Sequence, residues 1–467
     1  MLGKPRRGQG PVRSGRFRLF LCCLPGLFPL TALADEAAIR TELDELRRSN
    51  QELRSLLEAQ QQRTEALEQR LERLAAAPPP APAPPPPAPA GQPKSAYDAK
   101  GVYIEPAPPS LQNLIALKRK GSGSSLLELY GFLRVDGIYD SHQAGLDELL
   151  GYAVSPDDRA FDNDDFYLHP KLTRIGADFN GPTLESLGGA KVDGKIEIDF
   201  YRQFRESESR DEFRMRHAYL KLAWDQFYLL AGQTFDTISP LYPIINPDFG
   251  AWALGNLGDR RPQFIAGYSP KFAGGVLGFV GAVGQSGANS SSEGDDKASY
   301  QARLSYQRPL WGGTFHAGFW GHYADEDSYK SDLVGAGLIL PLYKDILTFK
   351  GEIWSGQNLD DVRGGILQGV VAGEELDSEG LWGELVWKII PHISLHGGYM
   401  IDNPDNDQLV PGFESGSRAL NKTWYSSIQF NYDPVLFGLD YIHVDTGFKG
   451  ARGGELDRIQ AFVQYNF

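Results

Sequence analysis

The stretch "IQAFVQYNF", Ile459–Phe467, alternates apolar and polar residues, with Phe462 the one exception. It finishes on an aromatic ring, where chain ends are ordinarily frayed and polar. Side chains of a strand point alternately to opposite faces, so Ile459, Ala461, Val463, Tyr465 and Phe467 share one apolar face. A strand that ends this way needs partners along both edges.

Similar segments recur upstream. In "GKIEIDF", Lys195, Glu197 and Asp199 alternate with Ile196, Ile198 and Phe200. "SYQARLSYQ" (299–307) and "EGLWGELVWKI" (379–389) alternate in the same way. A soluble sandwich of two sheets also alternates. Two features favour a membrane barrel instead. The segments run near the ~10 residues that a tilted strand needs to cross a bilayer. Their connections alternate between tight and long, as in outer-membrane barrels. Sixteen candidate strands can be marked between residues 127 and 467, an even number. The first supposed short turn, Gly181 to Asp193, is too long for the pattern. A barrel in lipid must close, because an open edge leaves backbone groups without partners. The last strand then pairs with the first, which answers what holds "QAFVQYNF". The fold expected is all-β: a sixteen-stranded antiparallel transmembrane β-barrel, preceded by an N-terminal coiled-coil helix and a Pro-rich linker.

Residues 1–34 read as a secretory signal peptide. Lys4, Arg6, Arg7, Arg13, Arg16 and Arg18 precede the apolar "LFLCCLPGLFPL", and "ALA" precedes Asp35. The apolar stretch is too short to span a bilayer, and Pro25 and Pro29 interrupt it. Both cysteines, Cys22 and Cys23, lie in this segment, so the mature chain has no thiol chemistry. Cleavage removes six of the 46 basic residues and none of the 60 acidic ones, leaving a mature charge of −20. That argues against nucleic acid as a partner.

Residues 35–77 carry a heptad seam: Ile39, Leu43, Leu46, Asn50, Leu53, Leu57, Gln60, Thr64, Leu67, Leu71, Leu74. A solitary helix would leave this stripe wet, so a periplasmic coiled coil and a homo-oligomer are expected. Leu at both seam positions does not separate dimer from trimer. Residues 78–125 form a linker. Its "PPPAPAPPPPAPAGQP" adopts extended polyproline II, roughly 50 Å long at ~3.1 Å per residue. Within it, "LQNLIALKRK" (111–120) reads as a short amphipathic helix, and Gly121–Ser125 as a flexible joint. Residues 126–467 are the barrel.

The most informative connection is Asp236–Arg260, "DTISPLYPIINPDFGAWALGNLGDR". It is apolar and aromatic, and an exposed loop of that kind would be an aggregation liability. It either folds into the barrel or packs on an oligomer neighbour. Basic residues fall on the polar phase of the strands: Arg134, Arg174, Arg214, Arg216, Arg303 and Lys350, with Arg260 and Arg261 closing the loop. Guanidinium groups on a lumen wall offer forked donors to carboxylate or phosphate. Asp136, Asp178, Glu197, Asp199, Glu352 and Glu384 share that phase, so the arginines could equally neutralise them. Arg214, Arg216, Arg260 and Arg261 are the expected positive side of the constriction.

No catalytic signature is found, and no cofactor or metal is expected. The acidic "SPDDRAFDNDDF" lacks the glycine and distal Glu of a calcium loop. His392 and His396 are roughly 14 Å apart on a strand at ~3.4 Å per residue, too far to share one zinc ion.

The last strand resembles that of bacterial outer-membrane porins, which end in Phe with an aromatic two residues earlier. In that family the pattern is the recognition signal for the barrel-insertion machinery, and Tyr465 and Phe467 match it. The order of coiled coil, Pro-rich spacer and barrel, with "LYGFLRVDGIY", "TRIGADF", "MRHAYLKL" and "GNLGDRRPQF", resembles coiled-coil outer-membrane porins of the DcaP-like kind. Phosphate-selective porins are a second, weaker resemblance. These resemblances imply a trimer in the outer membrane of a Gram-negative bacterium, a third loop that narrows the pore, and passive diffusion of small anionic solutes such as dicarboxylates. The other reading is a structural envelope tether for which the barrel is only an anchor.

Overall fold

The computed structural model describes residues 113–117, 125–146, 149–201, 212–245, 251–287, 297–326 and 329–467. These lie in the second of the chain's two units, Pro93–Phe467. The expected signal peptide, coiled coil and most of the linker fall outside the described residues.

The barrel strands are β1 (Ser125–Asp140), β2 (Arg174–Leu184), β3 (Ala190–Asp199), β4 (Arg214–Ala223), β5 (Phe227–Phe235), β6 (Arg260–Tyr268), β7 (Gly275–Gln285) and β8 (Ala298–Leu310). They continue with β9 (Gly313–Glu326), β10 (Tyr329–Tyr343), β11 (Leu347–Gln357), β12 (Asp377–Ile390), β13 (Ile393–Pro404), β14 (Arg418–Tyr432), β15 (Val435–Phe448) and β16 (Ala451–Asn466). Each pairs antiparallel with its neighbour in sequence. β16 closes the ring on β1, from Phe132 opposite Asn466 to Asp140 opposite Arg458. The expected sixteen-stranded closed barrel is therefore present.

Two local differences have physical reasons. The overlong turn after β2 is short, because β2 runs to Leu184 and β3 starts at Ala190. A single 3-10 turn, Glu185–Leu187, joins them through Gly188 and Gly189, whose φ of 66° and 78° suit glycine. Asn113–Leu117 is a strand, not the expected helix. β1 overhangs the end of β16, and Asn113–Leu117 pairs with that overhang, from Leu129 to Ser125. Backbone groups at a barrel rim need such partners.

The outer belt is apolar. Phe264, Phe319, Val334 and Ile353 are all exposed outward. Exposed apolar side chains in a continuous belt around a closed barrel mark a membrane-spanning wall. On β16, Ile459, Ala461, Val463 and Tyr465 point outward, as expected. Phe462 breaks the alternation because it faces inward, under the Arg134 guanidinium, 3.9 Å from the ring centroid. Gly438 makes room for it: a Cβ there would sit 2.0 Å from the ring.

Three long connections fill much of the interior: L1 (residues 141–164), L3 (236–259) and L6 (358–376). Ile238 and Leu257 of L3 pack with Leu359 and Val362 of L6 against Trp320, Leu333 and Trp354 on β9–β11. Leu241, Ile245, Ala251 and Leu254 of L3 pack with Ala144, Leu150 and Ala153 of L1 against β12–β16. The lumen thus has a loop-covered apolar side and a charged side on β1–β4.

Candidate pore constriction

L3 answers the choice posed by its composition: it lies inside the barrel. A backbone bond of 2.8 Å from Asp236 N to Asp259 O closes its base. From there, lumen-facing side chains satisfy its backbone strand by strand. On β8, Gln301 accepts from Thr237 N at 2.7 Å and Arg303 donates to Thr237 O at 2.8 Å. On β11, Glu352 accepts from Leu241 N at 3.0 Å and Lys350 donates to Tyr242 O at 2.5 Å. Glu384 on β12 accepts from Ile244 N at 2.7 Å. On the return, Trp354 donates to Gly255 O at 2.7 Å and Asn421 on β14 donates to Ala253 O at 2.5 Å. Irregular backbone at membrane depth requires partners of this kind.

The charged side faces this loop. A bulge in β4 leaves Arg216 as the extra residue, because Glu197 pairs with His217 while Ile198 pairs with Met215. Arg214 and Arg216 both point inward, and Met215 between them points outward. Arg214 grips Asp199 with two bonds of 2.8 and 2.6 Å. Arg216 reaches Glu197 at 2.7 Å and Asp199 at 2.9 Å. Arg174 lies 3.4 Å from Glu197. Three guanidinium groups therefore share two carboxylates. Tyr130 donates to Glu197 at 2.7 Å, and Lys195 joins Tyr130 to Asp178 at 2.9 and 3.0 Å.

Arg260 joins this group. It is close enough to Arg214 and Arg216 for their charges to act on it, and 3.4 Å from Asp259. Asp259 also takes Arg363 of L6 at 2.8 Å. Burial pushes the Asp259 carboxyl up, but Arg363 and Arg260 outweigh it and hold it below the ordinary carboxylate range.

The other sequence-selected arginines lie elsewhere. Arg261 is fully buried between Asp236 and Asp361, at 2.5 and 2.6 Å, and fastens L3 to L6. Arg134 is committed to Asp136 at 2.7 Å and to Gln464 at 3.2 Å. Arg303 holds the start of L3. Sequence reasoning missed Arg363, whose partner lies 104 residues away. It also missed the inward fold of L1, although the apolar Leu146, Leu149, Leu150 and Tyr152 carry the signal used for L3. His392 stacks on Tyr432 at the rim, and His396 faces Glu384 in the lumen. No cluster suited to a metal ion occurs among the described residues.

No protein-family model matches the chain. No curated protein matches it either. Solved structures do. The outer membrane channel DcaP of Acinetobacter baumannii is 18% identical over 75% of this chain and 99% of its own, with a TM-score of 0.59. An anion-selective porin from Comamonas acidovorans is 11% identical over 73% of this chain and 100% of its own, at 0.48. Salmonella typhi OmpF is 12% identical over 76% of this chain and 100% of its own, at 0.47. With sixteen strands, a closed seam and an inward third loop, the barrel of this chain has the fold of a DcaP-like outer-membrane porin.

Proposed function

We propose that the chain is an outer-membrane porin for passive diffusion of small hydrophilic solutes, with a preference for anions such as organic acids. The observation that carries the preference is the sharing of Glu197 and Asp199 by Arg174, Arg214 and Arg216, with Arg260 beside them. Cations crowded on one wall of a narrow, partly desolvated aperture attract anions more strongly than the same charges in water. Arg134, Arg261 and Arg303 support the wall and the loop rather than meeting the solute. The protein works as a homotrimer with its coiled coil in the periplasm, and Tyr465 and Phe467 serve as the mark for the insertion machinery.

Planar-bilayer recording tests this reading. Stepwise conductance with a reversal potential on the anion side is expected in a salt gradient. A folded, inserted protein that never conducts overturns the porin reading, and a cation-side potential overturns the preference.

A further inference from the structure

L1 enters the barrel beside L3. Within it, Ala144–Gly145 pairs with Tyr152–Ala153 as a small hairpin. Ala144, Leu150 and Ala153 are buried in the same cluster as Leu241, Ile245, Ala251 and Leu254 of L3. L1 lies directly on β16: a Cβ on Gly454 would be 2.2 Å from the Val154 carbonyl oxygen.

One wall residue touches both loops. Asn421, fully buried on β14, donates its amide hydrogens to Gly151 O of L1 at 2.9 Å and Ala253 O of L3 at 2.5 Å. Its oxygen accepts the Thr446 hydroxyl from β15 at 2.6 Å. The Thr446 oxygen in turn accepts from Ala153 N of L1 at 2.8 Å. Every direction in this chain of bonds is fixed. Turning the amide over would set its oxygen against two carbonyl oxygens and take away the acceptor of the Thr446 hydroxyl. A buried network satisfied in only one arrangement specifies that arrangement.

We propose that L1 is a second constricting element of the pore, and that Asn421 is the positioning residue that locks it against L3. The two loops close the lumen over β12–β16 and confine the solute path to the charged β1–β4 wall. This rests on the porin reading. It adds that the aperture is set by two loops that meet at one side-chain amide.

The test uses the full mature protein. Asn421→Asp is nearly isosteric but sets a carboxylate against Gly151 O and Ala253 O. Thr446→Val keeps the shape and removes the hydroxyl, whereas Thr446→Ser keeps the hydroxyl. Asn421→Asp and Thr446→Val should raise unitary conductance and add sub-levels, and Thr446→Val, which changes no charge, should hold the reversal potential. Thr446→Ser should match wild type. Unchanged conductance levels in both variants overturn the inference while wild-type conduction upholds the porin reading. If Asn421→Asp does not insert, Thr446→Val decides. Should no protein conduct, the porin reading fails, and proteolysis of the intact barrel still reads the loop lock. Cleavage within 141–164 should appear in the variants and not in wild type, and equal resistance overturns the lock.

Discussion

Phe467 and Gly131 exchange both backbone hydrogen bonds across the barrel seam, at 3.0 Å from Phe467 N to Gly131 O and 3.2 Å in return. Phe467 therefore carries the seam ladder one residue past β16. Its removal deletes two ladder bonds at about 0.5–1.5 kcal/mol each. The expected outcome is a lower unfolding temperature in heat-modifiable gel mobility, with unitary conductance retained. An unchanged melting temperature would mean that the seam closes without Phe467.

Charge substitutions should sort by position. Arg260→Gln and Arg214→Gln should move the reversal potential toward cation preference with a smaller loss of stability, because Asp259 keeps Arg363 and Asp199 keeps Arg216. Arg261→Gln should do the reverse. It leaves Asp236 and Asp361 buried without their cation, a loss of about 3–5 kcal/mol. Denaturant unfolding and reversal potentials measured on the same preparations separate the two classes.

Glu352 accepts from Ser239 Oγ at 2.5 Å, Leu241 N at 3.0 Å and Trp382 Nε1 at 3.3 Å. Glu352→Leu removes the acceptor and strands buried donors, at about 1–3 kcal/mol for each one left unsatisfied. L3 should loosen, visible as excess noise in the open-channel current. A quiet open level in this variant would show that the remaining wall contacts suffice.

Acid should weaken the junction of L3 and L6. The Asp259 carboxyl sits below its ordinary range in the folded protein, so its contribution is fully present above about pH 4, the unfolded value. It is lost as pH falls through the lower folded value. Thermal unfolding followed from pH 7 to pH 2 should show this loss, and Asp259→Asn should remove that part of the acid dependence. Identical pH profiles for the two proteins would rule the carboxyl out as its source.

The strands were legible because two solvents read them. Lipid outside and water or loop inside both enforce alternation, so even the exception at Phe462 has a local cause in Arg134 and Gly438. The apolar side chains of L3 marked it for burial, in the barrel or on a neighbour, and the porin resemblance pointed inward; the same criterion applied to Leu149 and Leu150 would have marked L1 for burial. The roles of the arginines were not legible. Strand phase states which wall a guanidinium faces, but not its partner: Arg261 meets Asp361 across 100 residues. Five residues at Asn113–Leu117 are too few for apolar spacing to separate helix from strand. The overhang of β1 decided the matter.

The loop-filled side of the lumen gives this barrel something a bare cylinder lacks, an interior hydrophobic core like that of a water-soluble domain. Amides near Ala153 and Ala253 are sealed in it, although they belong to connections rather than strands. Hydrogen exchange should find them protected far beyond ordinary surface loops, with an opening free energy of their own. Unfolding should then proceed in two cooperative steps: the plug melts first, and the empty cylinder follows.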